Sequence, residues 1–126
     1  MATEQNLQTL SLVEAADLST HQFKCVKVDS SGHAALCSVA GEMAVGVLSN
    51  KPKSGLTNDC VSVVTGGAPM AMAGAAIAAG AKVATAATGK LRTAVSGDHV
   101  LGVALQAAGA DGDIIKIQIL RDGIVP

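Results

Sequence analysis

Aromatic side chains are nearly absent: of 126 residues one is Phe, and there is neither Trp nor Tyr. Single-stranded nucleic acids bind on stacked rings, so that mode is excluded. Charge of one sign is missing as well, since nine Lys plus Arg stand against ten Asp plus Glu, a formal net charge of −1. A nucleic-acid binder would show a basic footprint, and none is present. The three cysteines, Cys25, Cys37 and Cys60, are odd in number and lie in apolar runs. Secreted disulfide frameworks use even counts in turn-rich sequence, so these read as buried structural thiols made in a reducing compartment. No basic and apolar leader of the secretory kind opens the chain. One uncharged stretch, Cys60 to Ala81, is long enough to cross a bilayer, but Gly66, Gly67, Pro69, Gly74 and Gly80 interrupt it and Ala dominates it, which excludes a membrane span.

What is present is small and aliphatic. Hydrophobic residues make up 49% of the chain and Ala, at 23 copies, leads them. An aromatic residue contributes about 150 to 250 Å² of buried surface. Without that contribution the core is thin, and association between copies is a natural way to complete burial. The length suits one domain.

The chain repeats itself. Val39-Ala40-Gly41-Glu42-Met43-Ala44-Val45-Gly46-Val47 aligns with Val95-Ser96-Gly97-Asp98-His99-Val100-Leu101-Gly102-Val103 at an offset of 56, from position 39 to position 95. The shared pattern is Val-x-Gly-acid-x-x-apolar-Gly-Val. Upstream, Val26 to Gly32 lies against Val83 to Gly89, and downstream Val61 to Val64 matches Ile114 to Ile117. Two pseudo-repeats, about 20–65 and 77–120, are expected to follow an N-terminal arm, 1–19, within a β domain over 20–126.

Each copy reads as strands. Ile115, Ile117 and Ile119 alternate with Lys116 and Gln118, and Val61 and Val63 flank Ser62, a period of two. Asp29-Ser30-Ser31-Gly32, Ala87-Thr88-Gly89, Ser96-Gly97-Asp98 and Asp111-Gly112 carry turn chemistry. Gly46 and Gly102 mark a bulge or the close approach of another backbone. Met70 to Ala79 has helix propensity broken by glycines and preceded by Pro69, so a strand at Met70 to Ala73 and a loop after it are expected. The fold class is all-β, a small sandwich or barrel. The arm holds Leu7, Leu10, Leu12, Val13 and Leu18 with no clean period, so these are the candidate contacts with a neighbour or partner, and the arm is expected to order on another molecule.

Chemistry-bearing groupings fail. Ser96, Asp98 and His99 are too close in sequence to form a triad among themselves. His21, Cys25, Cys37 and Cys60 lack the paired spacing of zinc ligands, and Asp111 with Asp113 lacks the oxygens calcium takes. Gly89-Lys90 has no phosphate-loop context, and Lys51-Pro52-Lys53 and Lys90-Leu91-Arg92 read as solvated loop charges. No cofactor is implied, no metal, and no enzyme activity.

The order Ala15-Ala16-Asp17-Leu18-Ser19, Gln22-Phe23, Val26 to Gly32, Gly46 to Pro52, Gly74 to Gly80 and Leu101 to Leu105 resembles the small capsid decoration, or cement, proteins of tailed bacteriophages. The resemblance spans Ala15 to Leu120 and rests on structural glycines and small apolar residues. It implies a β-rich virion protein, made in the host cytoplasm, that assembles as a homotrimer on the outer capsid surface. The implied partner is the major capsid protein, and the implied task is clamping adjacent capsomers against the pressure of packaged DNA, with neither nucleic acid nor membrane as a partner. An adhesion module for a host receptor is the alternative, and the missing rings count against its glycan form.

Overall fold

The computed structural model describes residues 7–52 and 60–126. Ten strands run β1 (Gln8–Val13), β2 (Cys25–Val28), β3 (Ala34–Leu36), β4 (Gly46–Leu48), β5 (Cys60–Gly66), β6 (Met70–Met72), β7 (Lys82–Thr85), β8 (Leu91–Thr93), β9 (Gly102–Ala104) and β10 (Ile114–Ile119). The fold is all-β. No helix occurs among the described residues, so none is long and apolar enough to cross a membrane. Met70 to Ala79 gives the short β6 followed by loop, because Pro69 and the glycines deny a helix the length that would repay its nucleation.

Two five-stranded sheets form, in the orders β1-β5-β4-β2-β3 and β6-β10-β9-β7-β8. Counted from its own first strand, each half has the same order. All strand pairings are antiparallel. A parallel bridge then joins the two ends of each sheet, Glu14 to Ala34 in the first and Ala73 to Leu91 in the second. The amides of Ala15 and Gly74 donate across these seams to the carbonyls of Ala34 and Leu91, both at 2.8 Å. Each sheet therefore curls on itself toward a small barrel, with its two ends joined at one point.

Gly46 and Gly102 open β4 and β9, the central strands. A Cβ on Gly46 would lie 2.2 Å from the Val64 carbonyl oxygen, and one on Gly102 would lie 2.1 Å from that of Gln118. Only glycine lets the neighbouring backbones come this close. Gly41 and Gly97 turn the chain before them with φ of 78° and 88°. The paired acids Glu42 and Asp98 then cap those turns. Glu42 accepts the Ser38 and Val39 amides at 2.8 and 2.7 Å and an ion pair from Lys27 at 3.1 Å. Asp98 accepts the Val95 amide at 3.0 Å and binds the Arg92 guanidinium at 2.7 and 2.8 Å.

The first curled sheet encloses Leu18, Val26, Ala34, Leu48, Val61 and Val63. The second encloses Ala71, Val83, Leu91, Ala104, Ile115 and Ile117, and Cys25, Cys37 and Val47 from the outer face of the first sheet join that cluster. Small side chains thus form two thin cores that share one wall. Cys25 and Cys37 are neighbours across β2 and β3, and Cys37 donates its amide to the Cys25 carbonyl at 3.1 Å. Cys60, at the start of β5, is exposed, which corrects the expectation that all three thiols are buried. Its place at the outer end of a strand beside an edge explains the difference: a flanking valine on one face does not bury the residue on the other.

The leader also differs from expectation. From Gln8 it forms β1 and pairs along its length with β5, Leu10 opposite Val63 and Leu12 opposite Val61. Leu18 is 2% exposed and plugs the first sheet, its amide held by Glu14 Oε2 at 3.1 Å. Burying it removes about 1.5 to 3 kcal/mol worth of apolar surface from water. Residues 1–6 of the expected arm, and Lys53, lie outside the described residues.

Candidate functional site

The first half has one feature without a counterpart in the second. β1 is six residues long and β5 seven, whereas β6, in the equivalent place, has three. β1 ends its sheet, and beyond the single bridge at Glu14 its outer edge meets no strand among the described residues. The alternation Thr9-Leu10-Ser11-Leu12 keeps the strand extended, with Leu10 and Leu12 on one face and Thr9 and Ser11 on the other. Leu12 turns partly into the first core. Leu10 and the preceding Leu7 remain 40% and 49% exposed. A register shift between Gln8 and Thr9 at this end sharpens the twist of the strand pair.

Of the five candidate contacts, the structure brings Leu7, Leu10, Leu12 and Val13 together on β1 and at its mouth, with the last two half-buried, and places Leu18 inside the core. Leu18 is thus corrected from contact to core residue, because the chain after Glu14 folds back over the sheet rather than running on.

Beside the start of β1, where Thr65 Oγ1 donates to the Gln8 carbonyl at 3.4 Å, a groove of about 650 Å³ opens. Val28, Met43 and Thr65 line it together with the Lys27–Glu42 pair and Arg121. Val28 and Met43 are exposed. Sequence reading missed Met43, which sits inside the repeated pattern at the place of His99, and Arg121, which follows β10. The Arg121 guanidinium donates to the carbonyls of Ala44 and Val45 at 2.8 and 2.6 Å and so ties the second half to the rim of the groove in the first. Burial raises the Glu42 carboxyl, but the Val39 and Ser38 amides and the Lys27 ammonium outweigh it and hold its pKa below the ordinary value. Glu42 therefore stays ionised near neutrality and keeps the groove rim fixed.

This arrangement suits binding through an edge and an apolar groove. Ser96, Asp98 and His99 do not converge as a catalytic group: Asp98 is committed to Arg92 and the Val95 amide, and the His99 backbone bridges Ile124. Burial pushes the Cys25 thiol up to about 12, helped by the neighbouring Cys37, and pushes Cys37 up to about 12 as well, helped by Glu42. Neither is a nucleophile at neutral pH. Among the described residues, no three His, Cys, Asp or Glu side chains are grouped closely enough to hold a metal ion.

Comparison with known proteins bears on the same chain. The family model described as phage cement protein matches residues 4–119, and the chain belongs to that family, whose members are structural proteins of the virion. A solved structure, the N base of the head fiber gp8.5 of bacteriophage phi29, is similar in fold, with a TM-score of 0.59 at 18% identity over 94% of this chain and 100% of that one. No curated protein matches the sequence.

Proposed function

From its membership of the phage cement family, we propose that this chain is a non-enzymatic protein of the outer capsid surface that binds the major capsid protein and holds neighbouring capsomers together against internal DNA pressure. The observation that supports this reading is β1. A long edge strand with exposed Leu7 and Leu10, beside a groove walled by Val28 and Met43, is a place for an extended partner segment to add main-chain hydrogen bonds and seat alternate side chains. Monomeric proteins normally blunt such an edge, so one left long marks a contact.

The protein acts as a homotrimer in this reading. A thin aliphatic core gains burial when copies associate, and a trimer presents three edges at once. Linked contacts of modest strength then sum by multivalency over the shell. Synthesis takes place in the host cytoplasm, and decoration follows shell assembly.

Copy number and heat resistance of the particle test the reading together. Particles carrying about one copy per capsid subunit, and shells that lose contents at lower temperature without the protein, are the expected result. A few copies per particle, with undiminished heat resistance in their absence, would instead indicate an adhesion module.

A further inference from the structure

A second unpartnered surface, with no residue of β1 in its lining, lies where the two halves meet. Phe23, the one aromatic residue of the chain, sits there at φ 71°, a conformation bulky side chains rarely adopt. Its backbone is held from both halves: the Phe23 amide donates to the Leu48 carbonyl and its carbonyl accepts the Met72 amide, each at 2.8 Å. Such a conformation persists only where its surroundings over-determine it. The result is a half-buried ring standing in a shallow depression with Thr20, Gln22, Lys51, Met72 and Ile114. The depression runs onto the outer face of β6 and β10. Ile115 and Ile117 point into the core, so Ile114 and Lys116 point out, and they pair across the strands with Met72 and Met70. Met70 is 53% exposed and Ile114 is 47% exposed.

The charges around this face are unevenly matched. Lys27, Lys82, Lys90 and Arg92 are each ion-paired, to Glu42, Asp122, Asp111 and Asp98. Arg121 is spent on carbonyls and Lys24 Nζ meets His21 Nδ1 at 3.0 Å. Among the described residues, four cations meet no carboxylate, and of these Lys51 and Lys116 are the two whose side chains also meet no carbonyl or histidine; both border the Phe23, Met72 and Ile114 face. The acids near it are engaged locally: Asp17 accepts the Ser19 amide at 2.9 Å, Asp111 pairs with Lys90, and Asp113 accepts the amides of Gly109 and Ala110.

We propose that this face is a second capsid contact, separate from β1, and that it receives a segment of the capsid protein bearing apolar side chains flanked by carboxylates. The proposal rests on the cement reading given above and names the chemistry of the partner. The apolar strip of Phe23, Met70, Met72 and Ile114 supplies the desolvated centre, with a pre-set aromatic ring and two adaptable methionines. Lys51 and Lys116 at its border favour an acidic partner and disfavour a basic one. Two separate contacts give one copy two holds on the shell.

The test uses the full chain and capsid shells stripped of this protein. Two double variants, Lys51→Glu with Lys116→Glu and Met70→Ser with Ile114→Ser, change only exposed or half-buried side chains, and circular dichroism checks that each remains folded. Lys82→Glu, at the distant pair with Asp122, is the charge control. The charge-reversed protein is expected to bind shells at least about tenfold more weakly at low salt and to lose most of the salt dependence seen with the wild type. The serine variant is expected to weaken binding by a similar factor at any salt, and the control to bind as wild type. Folded double variants that decorate as well as the wild type would overturn the second contact while leaving the cement reading standing. A changed molecular mass of the free protein in the double variants would overturn it too, by assigning the face to self-association. Wild-type protein that fails to decorate at all would remove the cement reading itself.

Discussion

The two halves share a strand order and differ at their edges. In both, a glycine opens the central strand under a neighbouring carbonyl, a second glycine turns the chain before it, and an acid caps that turn. The first half adds a six-residue edge strand where the second has three residues, and its cap, Glu42, faces a groove, whereas Asp98 is buried against Arg92. The shared features are those that steric contact leaves no room to vary. The unshared ones lie where the fold permits variation, and they are where we propose that binding occurs.

The sharpest break of that comparison is at the shared glycines. Gly46→Ala and Gly102→Ala each drive a methyl into backbone oxygen, so both are expected to cost about 3 kcal/mol and by similar amounts, read by chemical denaturation. A tolerated substitution in one half alone would mean that the two glycines do different work.

The caps should separate. Asp98→Asn leaves a buried Arg92 contact half-made and is expected to cost about 2 to 3 kcal/mol, against about 1 kcal/mol for the more exposed Glu42→Gln. The Glu42 contribution depends on pH with a definite sign. Its folded pKa is depressed, so the stability it adds is present above the unfolded glutamate pKa and is lost as the pH falls through the folded one. Denaturation midpoints of wild type and Glu42→Gln should therefore converge in acid. A gap that widens below pH 4 contradicts this.

A smaller contrast lies in the turn glycines. A Cβ at Gly41 would fall 2.1 Å from Asp98 Oδ1, whereas none at Gly97 meets an atom within 4 Å. Gly97→Ala pays only for its positive φ, about 1 kcal/mol, and Gly41→Ala should cost more because it also displaces the Arg92 ion pair. Thermal midpoints in reverse order would show that the half-to-half contact at Gly41 is soft. The thiols give the last contrast, with no stability change: Cys60 should react with a thiol reagent in the native protein, and Cys25 and Cys37 only on unfolding.

Much of this was legible in the sequence. The Ile115-Lys116-Ile117-Gln118-Ile119 alternation and the glycine pattern pointed to the all-β class and to the close approach at Gly46 and Gly102, because period and steric demand are local properties. The edge strand was harder. Thr9-Leu10-Ser11-Leu12 alternates, but Leu7, Val13 and Leu18 around it blur the period, and attachment to β5 pairs residues 47 to 58 positions apart. Leu18 reads in the sequence as one more contact residue of the arm, since its burial shows only where its amide meets the Glu14 carboxylate, and Met43, Phe23 and Arg121 acquire meaning only once the halves are packed.

The most direct measurement is decoration of stripped capsid shells by Leu7→Asp with Leu10→Asp, set beside Val95→Asp, an equally exposed position in the second half. Both proteins should fold. The account predicts that the β1 variant loses decoration and its protection of the shell against heat, while Val95→Asp keeps both. Full decoration and protection by the β1 variant would contradict the claim that the long edge of the first half holds the capsid.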